Sequence, residues 1–154
     1  MKANTLLANR LREVFLNGRW IANTNYKELI SNVTSAQAIR KYENLNSIAA
    51  LTFHVNYYLD GLIKAFDSNK LDIRDKLSFD LPTTFSEEDW YKLKAEFLHN
   101  ANLFADKVEL MDEAKFEQVF IDEKYGTYQR NIEAVIEHSY YHLGQISLLI
   151  KLLK

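Results

Sequence analysis

Apolar residues recur every three or four positions along most of this chain, which is the spacing of one face of an α-helix. The first run predicts a helix from about Thr5 to Asn17, with Gly18 where a left-handed helix cap would lie. A turn at Asn23–Asn25 separates it from a short helical segment that begins at Tyr26 and ends near Thr34. From about Ser35 to Asp67 a sustained pattern without proline predicts a second long helix, which could be kinked.

Two further helices are predicted in the rest of the chain. Ser86 followed by Asp89 is a capping signature for the third helix, and the last helix runs from Thr127 almost to Lys154. The buried stripe of the third helix is predicted to be Trp90, Leu93, Phe97, Ala101, Phe104, Val108 and Met111. Ser68–Phe85 and Asp112–Gly126 look irregular, and a connection as long as the first usually crosses a bundle or covers a site.

Composition agrees with a mostly helical protein in which residues 1–154 form one domain. The chain has 154 residues with only one proline and four glycines. Its net charge is -2 and no run of lysine or arginine could neutralise a phosphate backbone, so nucleic acid is not an expected partner. No apolar stretch reaches the roughly 18 residues of a membrane span, and the first residues lack the apolar core of a signal peptide. We therefore expect a soluble, cytoplasmic protein that does not bind membranes.

Histidine is the residue type that offers chemistry here, because cysteine is absent. His138 and His142 lie four residues apart on the last helix, so their imidazoles share one face and could chelate one ion. His54 on the second helix shares its face with small residues, which leaves space beside it. These small residues are Ser47, Ala50, Gly61 and Ala65. His99 lies opposite the buried stripe of the third helix and is expected to face solvent.

Two interpretations of the histidines are open at this point. In the first, His54, His138 and His142 meet in the interior as three neutral ligands of one divalent ion and leave a position for water or substrate, as in catalytic zinc sites. In the second, His54 is a hydrogen-bonded core residue and the other two are half exposed. A di-iron bundle is rejected, because its Glu-x-x-His motif must occur on two helices and only Glu96 to His99 fits, on a solvent-facing stretch.

The segment Glu137–Ile146, with the sequence EHSYYHLGQI, resembles the last-helix signature of the DinB/YfiT-like family. That signature is a histidine, three residues, a second histidine and then Gly-Gln-Ile. Leu51–His54 is similar to the family's upstream ligand segment on the second helix. The resemblance implies an all-α four-helix bundle with a long crossover connection, a homodimer, and a site for zinc or nickel formed by His54, His138 and His142. It therefore favours the first interpretation.

The resemblance also implies a chemistry, because characterised members use a low-molecular-weight thiol such as bacillithiol or mycothiol. A bound ion would lower the pKa of that thiol, or of water, and so create a nucleophile. Glu137 could be a general base, but it lies about 100° around the helix from His138 and is read as a surface carboxylate. Candidates for orienting a small-molecule substrate are Tyr57, Tyr58, Asn131, Tyr141 and Gln145. The function expected is a metal-dependent thiol S-transferase or hydrolase. The alternative is a non-catalytic, dimeric module that binds a metal or a small ligand.

Overall fold

A computed structural model describes residues 1–154, and all of its regular elements are helices. They are α1 (Ala3–Arg12, continued by a π-helical turn at Glu13–Asn17), α2 (Tyr26–Ser31), α3 (Ser35–Ile39), α4 (Ile48–Ser68), α5 (Glu87–Leu110), α6 (Glu113–Phe116) and α7 (Tyr128–Leu152). The four long elements, α1 with its π-helical turn, α4, α5 and α7, pack together around one apolar core, which confirms an all-α fold. None of the helices combines the length and the apolarity that a membrane-spanning helix requires.

The second and third long helices, α4 and α5, run in the same direction. Near the middle of α4, Asn56 accepts a hydrogen bond from Asn100 of α5 at 2.9 Å. Further along both helices, the rings of Phe66 and Phe104 pack with their centroids 5.3 Å apart. In these two contacts the residue numbers increase along both helices in the same direction, so the helices are parallel. The connection between them must therefore return along the length of the bundle. This connection, residues 69–86, is called the crossover below.

The first helix begins at Ala3, two residues before the predicted start, and ends at Asn17 as predicted, but the predicted cap is wrong. Helical structure extends to Asn17, and its last turn is π-helical. Gly18 is extended, with φ -92° and ψ 157°, rather than left-handed. Glycine is required there for space, because a Cβ at Gly18 would lie only 2.1 Å from Cγ of Glu13. The extra residue of the π turn moves the chain against the helix it has just left.

The predicted single helix over Ser35–Asp67 is wrong, because the chain leaves the helix at Arg40 and starts a new one at Ile48. Residues 39–46 are all exposed, so no buried apolar contact offsets the entropy of ordering them as a helix. Glu43 adopts a left-handed φ of 48°. The side chain of Ser47 then caps α4 by accepting a hydrogen bond from the amide of Ala50.

The predicted starts of α5 and α7 are confirmed by their caps. Ser86 and Asp89 form the complete capping box of α5, and Thr127 accepts a hydrogen bond from the amide of Arg130. The predicted stripe of α5 is buried from Trp90 to Val108, and Met111 marks the end of the helix. These caps fix where each long helix begins, and hence which residues face the interior.

The second connection, between α5 and α7, closes one end of the bundle. It contains α6 and a 3₁₀ turn at Glu123–Tyr125. Phe120 is buried and packs against Phe66 and Tyr128, with ring centroids 5.6 and 5.1 Å away. The segment predicted to be irregular therefore adds aromatic side chains to the core at the beginning of α7.

Candidate metal centre

Three histidines from two helices meet in the interior. His54 lies in the middle of α4, and His138 and His142 lie one turn apart on α7, which packs against α4. The Nε2 atom of His138 is 3.1 Å from Nε2 of His54 and 2.9 Å from Nε2 of His142. His54 and His142 are buried and His138 is half-buried. The structure thus brings together the three residues that the sequence selected, in a cluster that could bind a metal.

Two of the three imidazoles are held by hydrogen bonds through their other ring nitrogen. Nδ1 of His54 lies 3.3 Å from the carbonyl oxygen of Ser78 in the crossover. Nδ1 of His142 lies 2.7 Å from the side-chain oxygen of Gln145, one turn further along α7. A carbonyl oxygen can only accept, so each Nδ1 carries the proton and donates it. Both rings therefore point an unprotonated Nε2 atom at His138.

This proton arrangement fits a metal ion better than a hydrogen-bonded histidine triad. Only His138 is left to supply a proton between the three Nε2 atoms, and that proton can satisfy one neighbour well. The Nε2 lone pair of the remaining histidine then faces another nitrogen atom and receives no hydrogen bond. A cation would accept all three lone pairs, and nitrogen ligands about 2.0–2.1 Å from a tetrahedral zinc ion lie about 3.3 Å apart. The observed Nε2 separations of 2.9 and 3.1 Å to His138 are close to that spacing.

The electrostatics of the cluster keep the imidazoles neutral, the form that binds metals. Burial, followed by repulsion from His142 and His54, lowers the pKa of His138 to about 4. Burial also lowers the pKa of His142 and is the largest cause of the lowered pKa of His54. The ligands are therefore ready to bind a cation at neutral pH without first losing a proton.

The crossover supplies contacts that sequence reasoning missed. Phe79 stacks on the His54 ring, and Ser78 provides the carbonyl described above. The carboxylate of Asp75 accepts a hydrogen bond from the hydroxyl of Tyr58 at 2.8 Å. These residues belong to the segment predicted to be irregular, and no periodic pattern indicated which of its side chains would face α4. A connection of this length was expected either to cross the bundle or to cover a site. The crossover returns along the bundle and also covers the histidine cluster.

The small side chains around His54 leave less space than predicted. A Cβ at Gly61 would lie 2.5 Å from Cγ1 of Ile73, so the crossover occupies this position. Ala50 borders a cavity that also touches Phe79. Gly61 thus lets the crossover approach the helix closely.

The candidate substrate residues are placed unequally. Tyr58 packs its ring edge against His54 and His138, and Asn131 and Tyr58 line a cavity that reaches His138. Gln145 holds His142 as described. Tyr141 touches the edge of the His142 ring but is 64% exposed.

Tyr57 lies away from the cluster. Its hydroxyl donates to the carbonyl oxygen of Arg74 and accepts from the amide of the same residue. Tyr57 therefore anchors the crossover to α4.

Two residues that the sequence excluded from the site behave as expected: His99 is exposed, and Glu137 is an exposed carboxylate paired with Arg130.

Searches against protein-family models, curated proteins and solved structures find no significant match to this chain.

Proposed function

We propose that this protein is a divalent-metal-dependent enzyme that holds zinc or nickel through His54, His138 and His142. The observation that carries the proposal is the convergence of three Nε2 atoms, two of which are aimed inward by hydrogen bonds at Nδ1. Nitrogen ligands suit zinc and nickel, and three protein ligands leave a coordination position for a small molecule.

A bound ion would lower the pKa of a coordinated thiol or water and so supply a nucleophile near neutral pH. The chain has no cysteine, so a thiol would have to come from a second substrate. Ser78 and Gln145 would hold His54 and His142 in the metal-binding tautomer and orientation. The cavity lined by Tyr58 and Asn131 would place the substrate against His138. We propose thiol S-transfer as the reaction, with metal-assisted hydrolysis next.

The topology supports the proposed membership of the DinB/YfiT-like family. The resemblance of the Glu137–Ile146 segment implies a bundle with a long crossover, one histidine on the second long helix and two on the last. The parallel pair α4 and α5 joined by the crossover, with His54 on α4 and the other two histidines on α7, agrees with that expectation.

A non-catalytic metal- or ligand-binding module is the second candidate, and one observation favours it. Asp75 is the one carboxylate in the lining of the cavity beside His138, and it is an exposed residue that anchors Tyr58. Glu137 is paired with Arg130 on the surface. A binding module needs no general base, whereas an enzyme of this design must rely on the ion to form its nucleophile.

The metal proposal is tested by elemental analysis of the native protein and of single alanine variants. We expect about one zinc or nickel ion per chain, and strongly reduced metal content in His54→Ala, His138→Ala and His142→Ala. His99→Ala is the matched control, because its side chain is an exposed imidazole on α5. Full metal content in all three cluster variants would overturn the assignment.

The reaction is tested separately with bacillithiol, mycothiol, coenzyme A and glutathione and a generic alkylating acceptor. We expect the metal-loaded protein to conjugate at least one thiol faster than the metal-free protein, and His54→Ala to lose this rate. A loaded protein with full metal content and no rate above the metal-free level with any thiol would reject thiol transfer. Turnover of esters or amides would then support hydrolysis, and no turnover at all would support the binding module.

We also propose that two copies of the chain associate. Trp20 is 90% exposed and Leu148 is 55% exposed, and both offer apolar surface that a second copy would cover. A groove lined by Tyr140, Gly144 and Leu148 lies beside the loop that follows Trp20. Sedimentation analysis should give a dimer for the native chain and a monomer for Leu148→Glu, and a native monomer would refute this proposal.

A further inference from the structure

A cavity of about 420 Å³ lies between α4, α7 and the crossover, with His138 in its wall. Most of its lining is apolar and comes from these three segments and from the connection between α5 and α7. The apolar lining residues are Leu62, Leu71, Ile73, Phe120, Ala134 and Val135. The volume falls within the range of about 300–1,000 Å³ typical of small-molecule sites. The body of a molecule bound here must therefore be largely apolar.

The cavity has few polar groups, and the charge of its lining is negative. Its lining contains one carboxylate, Asp75, and no lysine or arginine. The only side-chain hydrogen bond to Asp75 comes from Tyr58, and a carboxylate has room for several more donors. Burial and the hydrogen bond to Asp75 raise the pKa of Tyr58, so Tyr58 remains a donor at neutral pH. Asp75 is exposed, so water occupies its remaining acceptor positions until a ligand with a donor or a positive charge replaces it.

We propose that this cavity binds a small molecule with an apolar body and a cationic amine head, and that Asp75 recognises the amine. The apolar wall takes the body, and the head lies at the end of the cavity shared by Asp75, Tyr58 and His138. This inference rests on the proposed function, because it names the class of substrate that would face the histidine cluster. In a thiol transfer, the amine would be the acceptor substrate in this cavity and the thiol would be a ligand of the ion.

The test uses three ligands that share one body and differ in the charge of the head: 4-phenylbutylamine, 4-phenylbutanol and 4-phenylbutanoate. Their affinities for the full chain are measured by calorimetry, on the protein as purified and after treatment with EDTA. We expect the amine to bind about fivefold more tightly than the alcohol, as for a partly exposed ion pair. The acid should bind most weakly to the EDTA-treated protein, in which Asp75 is the only charged carboxylate of the lining and no ion balances it.

Asp75→Asn should bring the affinity for the amine down to that for the alcohol without changing the affinity for the alcohol. Asp72→Asn is the matched control, because Asp72 is a carboxylate of the same segment that does not line the cavity, and it should keep the preference. Filling the cavity by Ala134→Trp on α7 or by Ile73→Trp on the crossover should weaken binding of all three ligands. The two variants lie on different elements, so one remains informative if the other does not fold.

Three results would overturn the inference: an acid that binds the EDTA-treated protein as tightly as the amine, an amine preference that persists in Asp75→Asn, and an amine preference that disappears with EDTA. The last would show that the head binds the ion through the lone pair of a neutral amine, rather than binding Asp75 as a cation. Because the head-group order is also measured without metal, its failure is separate from failure of the metal proposal, which elemental analysis decides.

Discussion

Phe79 lies flat on His54, with ring centroids 4.0 Å apart and ring planes 9° apart. The stack covers one face of the imidazole, and the neighbouring carbonyl of Ser78 holds its Nδ1 atom. Phe79 itself is 42% exposed, so it separates the imidazole from water with one ring. The crossover is thus part of the histidine cluster as well as a connection between α4 and α5.

Replacing Phe79 with alanine should weaken metal binding without unfolding the protein, because the ring shields His54 but is not part of the core. We expect zinc affinity to fall by up to about tenfold, the lower end of the effect of residues that support metal ligands. Competition with a chromogenic chelator measures it. Leu77→Ala, a loss of similar exposed apolar surface in the same segment, should leave affinity unchanged. Equal losses in both variants would mean that Phe79 acts only through the stability of the crossover.

Gln145 should matter through the orientation of His142, whose Nδ1 donates to its side-chain oxygen at 2.7 Å. Gln145→Ala removes the acceptor and should reduce zinc affinity about 10- to 100-fold. Gln145→Glu keeps an acceptor at the same position and should retain affinity near that of the native protein. If both substitutions weaken binding equally, the hydrogen bond is not what positions His142.

Periodicity and residue spacing predict most of the long helices and two of the three histidines of the cluster. The capping residues Ser86 and Thr127 predict the starts of α5 and α7 because a cap is a local interaction between residues three apart. The pair His138 and His142 could be placed on one face for the same reason. His54 could be joined to them only through the small residues of its face and the family resemblance.

What the sequence could not predict depends on contacts between distant segments. Phe79 and Asp75 lie in a stretch without period, so their contacts with His54 and Tyr58 have no local signature. The interruption before Ile48 was missed for a related reason. Its residues are mostly polar but include Tyr42 and Leu45 and contain neither proline nor glycine, and only their exposure in the folded chain shows that nothing favours a helix there.

Acid should destabilise the metal-free protein through His138. The pKa of His138 is lowered to about 4 in the folded state, against about 6.5 in an unfolded chain. Between these values the unfolded state binds the proton and the folded state does not, so stability falls as pH drops from about 6.5 to about 4. Urea unfolding of native protein and His138→Leu at a series of pH values in EDTA measures it. The variant should lose part of this dependence, and identical pH profiles would contradict the assignment.

Two helical glycines should respond in opposite ways to alanine. A Cβ at Gly144 would meet nothing within 4 Å, whereas one at Gly61 would collide with Ile73. In the monomeric Leu148→Glu background, Gly144→Ala should therefore stabilise the protein by about 0.5–1 kcal/mol, the helix preference of alanine over glycine. Gly61→Ala should lower the melting temperature, because Ile73 must move. Thermal unfolding followed by circular dichroism tests both, and a Gly144→Ala variant less stable than native would show that this face packs against another molecule.

The separation of the histidines along the chain has a consequence for folding. Synthesis proceeds from the N-terminus, so α4, the crossover and α5 can assemble while α7 is still missing. At that stage His54 already has Ser78 for one ring nitrogen, but nothing from this chain stands opposite the other. Only the docking of α7 brings His138 and His142 into place together. Metal binding by all three residues would then be the last step of folding and would not initiate it. An ion bound by all three histidines would be found only in chains that have folded completely.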